Sequence, residues 1–257
     1  MRLVDMHCHL DLMANGLEVA REAEGRGIGF FCTTVTPDGT QEARRRFAPC
    51  PNVRVGAGLH PWWLADGTCG EADVERACEL AAEAPYLGEL GLDGGRRGAG
   101  TLDAQTDALR RILRSAAAHP LAGRAASFHA IRSAGAVIDL VEETGLTDGA
   151  ACILHWFSGT TDELWRAVRA GFLFSVNEHM LATKRGREYA RILPEDRLLL
   201  ETDAPPELGA PYGLDKIERS LASTLELLAE LRGCDPEALG AAIARRSAAL
   251  LRFSGHR

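Results

Sequence analysis

Short apolar runs alternate along the chain with longer segments in which apolar residues recur at helical spacing. The short runs have the length and composition of buried strands. Each is followed by polar or glycine-containing sequence, which marks its end. Eight runs are therefore predicted as strands: Leu3–Met6, Ile28–Thr33, Val53–Ala57, Tyr86–Glu89, Ala126–His129, Ala151–His155, Phe172–Val176 and Leu198–Thr202.

Helical periodicity fills most of the sequence between these strands, and two further helices, Lys216–Leu231 and Pro236–Phe253, are predicted at the end. Strands that alternate with helices predict an α/β fold, a closed parallel (β/α)8 TIM barrel. A doubly wound open sheet is the alternative, because the number of strands does not prove closure. The remaining predicted helices are Leu17–Arg26, Ala72–Ala82, Leu102–Ala118, Ala134–Glu143, Asp162–Ala170 and Arg185–Ile192.

Length and composition agree with one globular unit. The 257 residues contain no internal repeat and no Pro/Gly/Ser linker, so we expect a single domain over 1–257. The net charge of -7 argues against a broad basic face that wraps duplex nucleic acid. Seven scattered cysteines without a Cys-x-x-Cys pair indicate reduced thiols. No apolar run reaches ~18 residues, so we expect a cytoplasmic protein with no membrane partner.

The first strand ends in two histidines, His7 and His9. Because side chains alternate along a strand, the pattern predicts that Asp5, His7 and His9 share one face and that Met6 and Cys8 share the other. Two imidazoles at one strand end can bind a metal ion but cannot complete its coordination. Cys8 is predicted to face the surrounding helices and is not counted as a ligand.

Other residues that bind metals lie at the ends of later strands. A buried carboxylate or imidazole is unfavourable unless it is paired or bound to metal. In a parallel barrel the carboxyl ends of the strands share one rim, where active sites are built. We therefore expect six ligands to converge there: His7, His9, Glu89, His129, His155 and Asp203.

These six donors are too many for one tetrahedral ion but suit two divalent ions about 3.5–4 Å apart, with a shared carboxylate and a bridging water. Glu89 can bridge with its two oxygens. The histidine-rich set favours Zn or Mn over Mg by softness, although the availability of Mg in the cell keeps Mg open. Two cations would also give an acidic protein a local site that attracts phosphate.

Four residues are predicted to act in catalysis. Asp203 or Glu201 is expected to accept the proton from the attacking water, and Glu201 is alternatively a positioning residue or the partner of a rim arginine. His60 and Arg132 are predicted to contact phosphoryl oxygens, with ordinary loop roles as the alternatives. The pair Trp62-Trp63 is predicted to pack in the core rather than to stack on a nucleobase.

Six motifs resemble, in order, those of the TatD family of metal-dependent hydrolases. The resemblance implies a (β/α)8 barrel and a two-metal site, with His7 and His9 on one ion, His129 and His155 on the other, Glu89 bridging and Asp203 completing the first. It also implies phosphodiester hydrolysis, typically DNase activity with 3'-end exonuclease character. The motifs are Asp5–Asp11 (DMHCHLD), Gly58–Pro61 (GLHP), Gly88–Asp93 (GELGLD), the strand end at His129, His155–Gly159 (HWFSG) and Glu201–Pro205 (ETDAP).

A narrower resemblance, at Gly91–Gly94, His155–Thr160 and Phe174–Val176, is to the TatD-type nuclease of the Qat antiphage defence system. It implies protein partners from such a system. The chain departs from the common TatD pattern directly after His129 and after Pro205. These departures leave open how a substrate strand is held and whether it is DNA.

The expected substrate is the end of a DNA strand, more readily a single strand than a long duplex, because no broad basic face is present. An amidohydrolase-type deacylase or esterase with a small substrate is one alternative. Such enzymes often have a bridging lysine where this chain has Glu89. A catalytically idle scaffold subunit of a defence complex is the other alternative, and the intact ligand set argues against it.

Overall fold

The computed structural model describes residues 1–253, in which parallel strands follow one another around a barrel in chain order. Each strand is hydrogen-bonded to the next within two groups, β1 to β3 and β4 to β8. The strands are β1 (Leu3–Cys8), β2 (Ile28–Thr33), β3 (Val53–Gly56), β4 (Tyr86–Asp93), β5 (Arg124–Ile131), β6 (Ala150–His155), β7 (Leu173–Val176) and β8 (Leu198–Leu200).

Backbone hydrogen bonds join the two groups and close the ring. Between β3 and β4, Ala57 N–H donates to the carbonyl of Tyr86 at 2.9 Å. Between β1 and the segment after β8, Asp203 N–H donates to the carbonyl of His7 at 2.9 Å, and His9 N–H donates to that of Ala204 at 2.7 Å. The (β/α)8 barrel prediction is therefore confirmed, and the open-sheet alternative is wrong.

Helices cover the outside of the barrel, and within residues 1–253 none is both long enough and apolar enough to span a membrane. The predicted helices are present. A helical segment was expected around Arg44–Arg46, and α2 confirms it. The helices α3 and α8 were missed because each is only about one turn long. The helices are α1 (Gly16–Gly25), α2 (Pro37–Phe47), α3 (Pro61–Ala65), α4 (Glu71–Glu83), α5 (Leu102–Ala118), α6 (Ala134–Thr144), α7 (Thr161–Arg169), α8 (Glu178–Leu181), α9 (Lys184–Ile192), α10 (Leu214–Arg232) and α11 (Pro236–Leu250).

The predicted alternation along β1 is wrong at Met6. The register of β1 against β2 shifts between Asp5 and Cys8, and such an irregularity resets which face each side chain occupies. Met6 packs inside the barrel with Phe31, whereas Cys8 packs in the outer core between barrel and helices, as expected. Asp5 does not join the rim, because its carboxylate accepts hydrogen bonds from Thr202 N–H and from the Thr202 hydroxyl.

The chain's last described residues close the amino-terminal end of the barrel. Leu251 and Phe253 belong to the interior core, and the Phe253 ring lies where a side chain on Gly29 would stand, 2.6 Å from an ideal Cβ. Arg54 stacks on this ring at 4.6 Å and donates to the Leu251 carbonyl at 2.9 Å. The barrel interior is therefore packed at one end and opens at the other.

Arg124, at the start of β5, ties two helices to the barrel. The side chain is buried, and its guanidinium donates to the carbonyls of Ala81 and Ala84 at 3.0 Å each and also to that of Ala116. These carbonyls lie at the carboxyl ends of α4 and α5, where helices leave acceptors unpaired and carry partial negative charge. Arg124 therefore satisfies both helix ends at once.

Replacing Arg124 by Met should lower the free energy of unfolding by about 3 kcal/mol, because buried carbonyls lose a charged donor. Chemical denaturation of both proteins measures the difference. Arg45→Met is the matched control, because Arg45 is an exposed arginine that pairs with Glu42 across one turn of α2. It should change stability by less than about 0.5 kcal/mol. Equal effects of the two substitutions would contradict the role of Arg124.

Candidate metal centre and active site

A cavity of about 710 Å³ opens at the carboxyl ends of the strands. Imidazoles and carboxylates form its floor, and apolar side chains form much of its wall. The structure brings all six predicted ligands to this floor: His7, His9, Glu89, His129, His155 and Asp203.

Glu89 lies at the centre of the cluster and divides it into two halves. Its Oε2 is 3.4 Å from Nε2 of both His7 and His9. Its Oε1 is 3.0 Å from His129 Nδ1 and 3.1 Å from His155 Nε2. A single carboxylate thus presents one oxygen to each pair of imidazoles.

Asp203 completes the half of the site that contains the β1 histidines. Its Oδ1 lies 3.4 Å from His9 Nε2 and 3.7 Å from His7 Nε2. The residue has a φ of 58°, in the left-handed region that non-glycine residues rarely adopt. Backbone conformations of this kind persist where the surrounding structure fixes them, and they cluster at functional sites.

The backbone around Glu89 is also closely fitted to its neighbours. The register of β4 against β5 shifts between Leu87 and Leu90, immediately around Glu89. Gly91 has a φ of 142°, and an ideal Cβ there would lie 2.1 Å from the carbonyl oxygen of His129. Only glycine allows this approach. The glycines of the Gly88–Asp93 motif therefore bring Glu89 and His129 together.

Hydrogen bonds at the second ring nitrogen orient the β1 histidines. His9 Nδ1 donates to the Thr33 carbonyl at 2.7 Å, because a carbonyl oxygen can only accept. Its Nε2 therefore keeps a free lone pair, as a metal ligand requires. His7 Nδ1 is 2.7 Å from Ser127 Oγ, and His7 Nε2 is buried without a hydrogen-bond partner among the described residues. An unpaired buried nitrogen that faces two carboxylates fits a metal ligand.

Two buried carboxylates lie next to the other histidines. Glu201 Oε1 lies 3.5 Å from His155 Nδ1, and Asp93 Oδ2 lies 3.1 Å from His129 Nε2. Glu201 itself accepts hydrogen bonds from Asn177 Nδ2 at 2.7 Å and from the Ser175 hydroxyl. The side chain of Glu201 is therefore directed at His155 rather than into the cavity. The structure favours the positioning alternative for Glu201 over that of a proton acceptor.

His60 lies beside the same cluster, but its two ring nitrogens have the reverse roles to those of His9. Its Nδ1 accepts from the N–H of Trp62 at 3.1 Å, so the proton of the neutral ring is on Nε2, which lies 3.1 Å from Glu89 Oε1. Burial lowers the pKa of His60 to about 4. His60 is thus a neutral N–H donor rather than a ligand.

Charge within the cluster favours ionised carboxylates. Burial alone would raise the pKa of Glu89, but the surrounding imidazoles, that of His60 first, hold the pKa well below its usual range. Burial also opposes ionisation of Asp203, but the hydrogen bond from His9 and nearby imidazoles lower its pKa to about 2. For His9 and His155, carboxylates outweigh burial and raise both pKa values. Protons therefore compete with cations for these nitrogens.

The predicted phosphate contact Arg132 is not placed in the cavity. Its side chain is exposed and does not line the wall, because the backbone turns at this residue with a φ of 52°. Arg97 lines the cavity instead, with its guanidinium 3.7 Å from the centroid of the Trp62 ring. Trp63 packs against the core as predicted, while Trp62 donates its indole N–H to Asp93.

Sequence reasoning also missed several residues that the geometry identifies. Ser127 lies two residues before His129 on β5, and Asn177 lies two residues after Ser175, directly after β7. The alternation of side chains along a strand could therefore have predicted both. Trp156 and His179 line the cavity wall, and no spacing rule pointed to either.

A barrel rim that gathers four histidines and one aspartate around a central glutamate defines a metal-dependent hydrolase. The family model for TatD related DNase matches residues 4–252. This chain belongs to that family, and the TatD prediction is confirmed.

Individual relatives agree with the family match. The chain is 30% identical over 238 residues to the 3'-5' ssDNA/RNA exonuclease TatD of Citrobacter rodentium, covering 88% of this chain and 87% of that protein. It is 25% identical over 249 residues to human deoxyribonuclease TATDN3, covering 91% and 89%. The crystal structure of YJJV, a TatD homologue from Escherichia coli, superimposes with a TM-score of 0.81 at 21% identity, covering 98% and 99%.

Replacing Glu201 by Gln should weaken metal affinity about 10–100-fold, as is typical for partners of ligand histidines. Gln keeps the shape of the side chain but removes the negative charge that faces His155 Nδ1. Competition with a chromogenic chelator measures the affinity. The control is Glu207→Gln, an exposed carboxylate on the rim. An unchanged metal affinity in Glu201→Gln would contradict the role of Glu201 in positioning His155.

Proposed function

We propose that this chain is a nuclease that hydrolyses phosphodiester bonds at the 3' ends of single-stranded nucleic acid. The observation that carries the proposal is the division of the imidazoles by the two oxygens of Glu89. Two adjacent sets of donors at the floor of an open cavity suit two divalent ions and a phosphodiester between them. The single-strand preference and the 3' polarity are taken from the bacterial relative, which is a 3'-5' ssDNA/RNA exonuclease.

Each half of the cluster would hold one ion. His7, His9 and Asp203 form one set, His129 and His155 form the other, and Glu89 is shared. The abundance of imidazole favours Zn or Mn over Mg. When bound, such ions would lower the pKa of a water and offset the charge of the phosphate.

The remaining roles belong to the chain's own residues. Asp203 lines the cavity, so its carboxylate is placed to take the proton from the attacking water. His60 keeps its Nε2 proton toward the floor, where it can donate to a non-bridging phosphoryl oxygen. Arg97 supplies the positive charge that was expected from Arg132. All seven cysteines are unpaired, which is typical of a reducing compartment, so we further propose that the protein acts in the cytoplasm. We also propose that the chain forms a single domain.

Replacing Glu89 by Ala should remove bound metal and lower the rate of phosphodiester hydrolysis by at least about 1,000-fold, because both halves of the site lose their shared ligand. Metal content by mass spectrometry and degradation of a labelled single-stranded oligonucleotide measure the two effects. Glu42→Ala, on an exposed face of α2, should retain metal and rate. Full activity in Glu89→Ala would overturn the metal-centre assignment.

Polarity is tested with end-blocked substrates. An oligonucleotide blocked at its 3' end should resist degradation, while one blocked at its 5' end should be shortened normally. The reverse pattern would refute the 3'-end assignment. Inactivity on every oligonucleotide, combined with hydrolysis of D-aminoacyl esters, would favour the deacylase alternative.

A further inference from the structure

The wall of the active-site cavity exposes an unusual amount of apolar surface. Among residues 1–253, four large hydrophobic side chains are exposed: Leu102, Ile131, Trp156 and Leu208. The last three of these, at 39%, 38% and 55% exposure, line the cavity. Large apolar side chains that gather at one concave site usually mark a binding surface.

The backbone at the end of β6 sets the position of Trp156 in this wall. It directly follows His155, and its φ of 41° turns the chain out of β6 at this point. Its N–H donates to the carbonyl of Ser175 at 3.2 Å, which fixes the turn. Its indole stacks on the imidazole of His179, with ring centroids 4.9 Å apart and planes 23° from parallel. Trp156 and His179 together form a layered aromatic surface, which we name the Trp156 platform.

Of the other two tryptophans that line the cavity, Trp63 packs against the core and Trp62 is already engaged. The Arg97 guanidinium lies over its ring at 3.7 Å, and its N–H is bound to Asp93. Asp93 in turn holds His129, so Trp62 is tied to the metal centre rather than open to a ligand. The Trp156 platform has no such tie through its indole, and more than a third of Trp156 is open to solvent.

We propose that the Trp156 platform binds the nucleobase of a nucleotide next to the scissile phosphate; this proposal rests on the proposed nuclease function. The cavity has a floor of imidazoles and carboxylates, which would attract a phosphate once divalent ions are bound, and an apolar aromatic wall. A nucleotide is divided in the same way into a phosphate and a base. A base within a duplex is already stacked on both faces, whereas a base at a single-stranded end is free to stack on an indole. The platform therefore selects unstacked ends without selecting a sequence.

The size of the effect follows from aromatic stacking. One base on one aromatic side chain contributes about 1–3 kcal/mol, which corresponds to roughly 5–150-fold in affinity. Trp156→Ala should therefore raise KM for single-stranded oligonucleotides about 10–100-fold, with a smaller change in kcat. Trp156→Phe, which keeps an aromatic face, should recover most of the affinity.

An abasic series makes the test specific. Single abasic nucleotides are placed at each of the last positions before the 3' end, and kcat/KM is measured for wild type, Trp156→Ala and the control Trp165→Ala. Trp165 lies on α7 and does not line the cavity. In wild type and in the control, one abasic position should lower kcat/KM about 10–100-fold. In Trp156→Ala that penalty should vanish.

The outcomes separate the two proposals. If wild type degrades oligonucleotides and Trp156→Ala loses the same factor on intact and abasic substrates, the platform does not bind a base, while the nuclease function stands. If wild type degrades none of them, the nuclease function itself fails. Metal content and thermal unfolding of Trp156→Ala must match wild type; a loss of metal would instead assign Trp156 to the support of His155 and overturn the platform.

Discussion

The burial of one carboxylate among five imidazoles is the constraint on which the rest of the site depends. Glu89 is almost fully buried, and isolated it would favour the neutral acid; the histidines around it reverse that preference. The barrel makes this burial possible because the ligands that surround Glu89 come from five different strands or strand ends. A carbonyl, a hydroxyl or a second carboxylate lies behind each ligand histidine. The strand ends thus supply the imidazoles and carboxylates, and the groups behind the histidines orient the imidazole rings.

The sequence alone predicted the barrel and all six residues at its floor. The reason is physical: a polar residue that ends an apolar run stands out, and parallel strands deliver such residues to one rim. Glu89, His129 and His155 were found in this way. Met6 was misplaced because the shift in β1 register depends on pairing with β2, which no spacing along one strand reveals.

The errors at the rim have a common cause. Arg132 and Trp156 each directly follow a strand and each adopt a positive φ. Such a turn decides whether a side chain enters the cavity or leaves it, and it depends on local backbone geometry that composition does not encode. Arg132 consequently points away while Trp156 enters the wall. The antiphage resemblance stays a prediction, since it concerns partners rather than the site.

The packed end of the barrel also limits how a strand can move. Phe253 and Leu251 close the interior opposite the metal centre, so the cavity opens only at the carboxyl ends of the strands. A nucleic-acid strand therefore cannot pass through the barrel from one end to the other. The released nucleotide and the shortened strand would therefore share one opening to solvent. Only the end of a strand, and not an internal segment threaded through the barrel, can then reach the metal centre by way of the barrel axis.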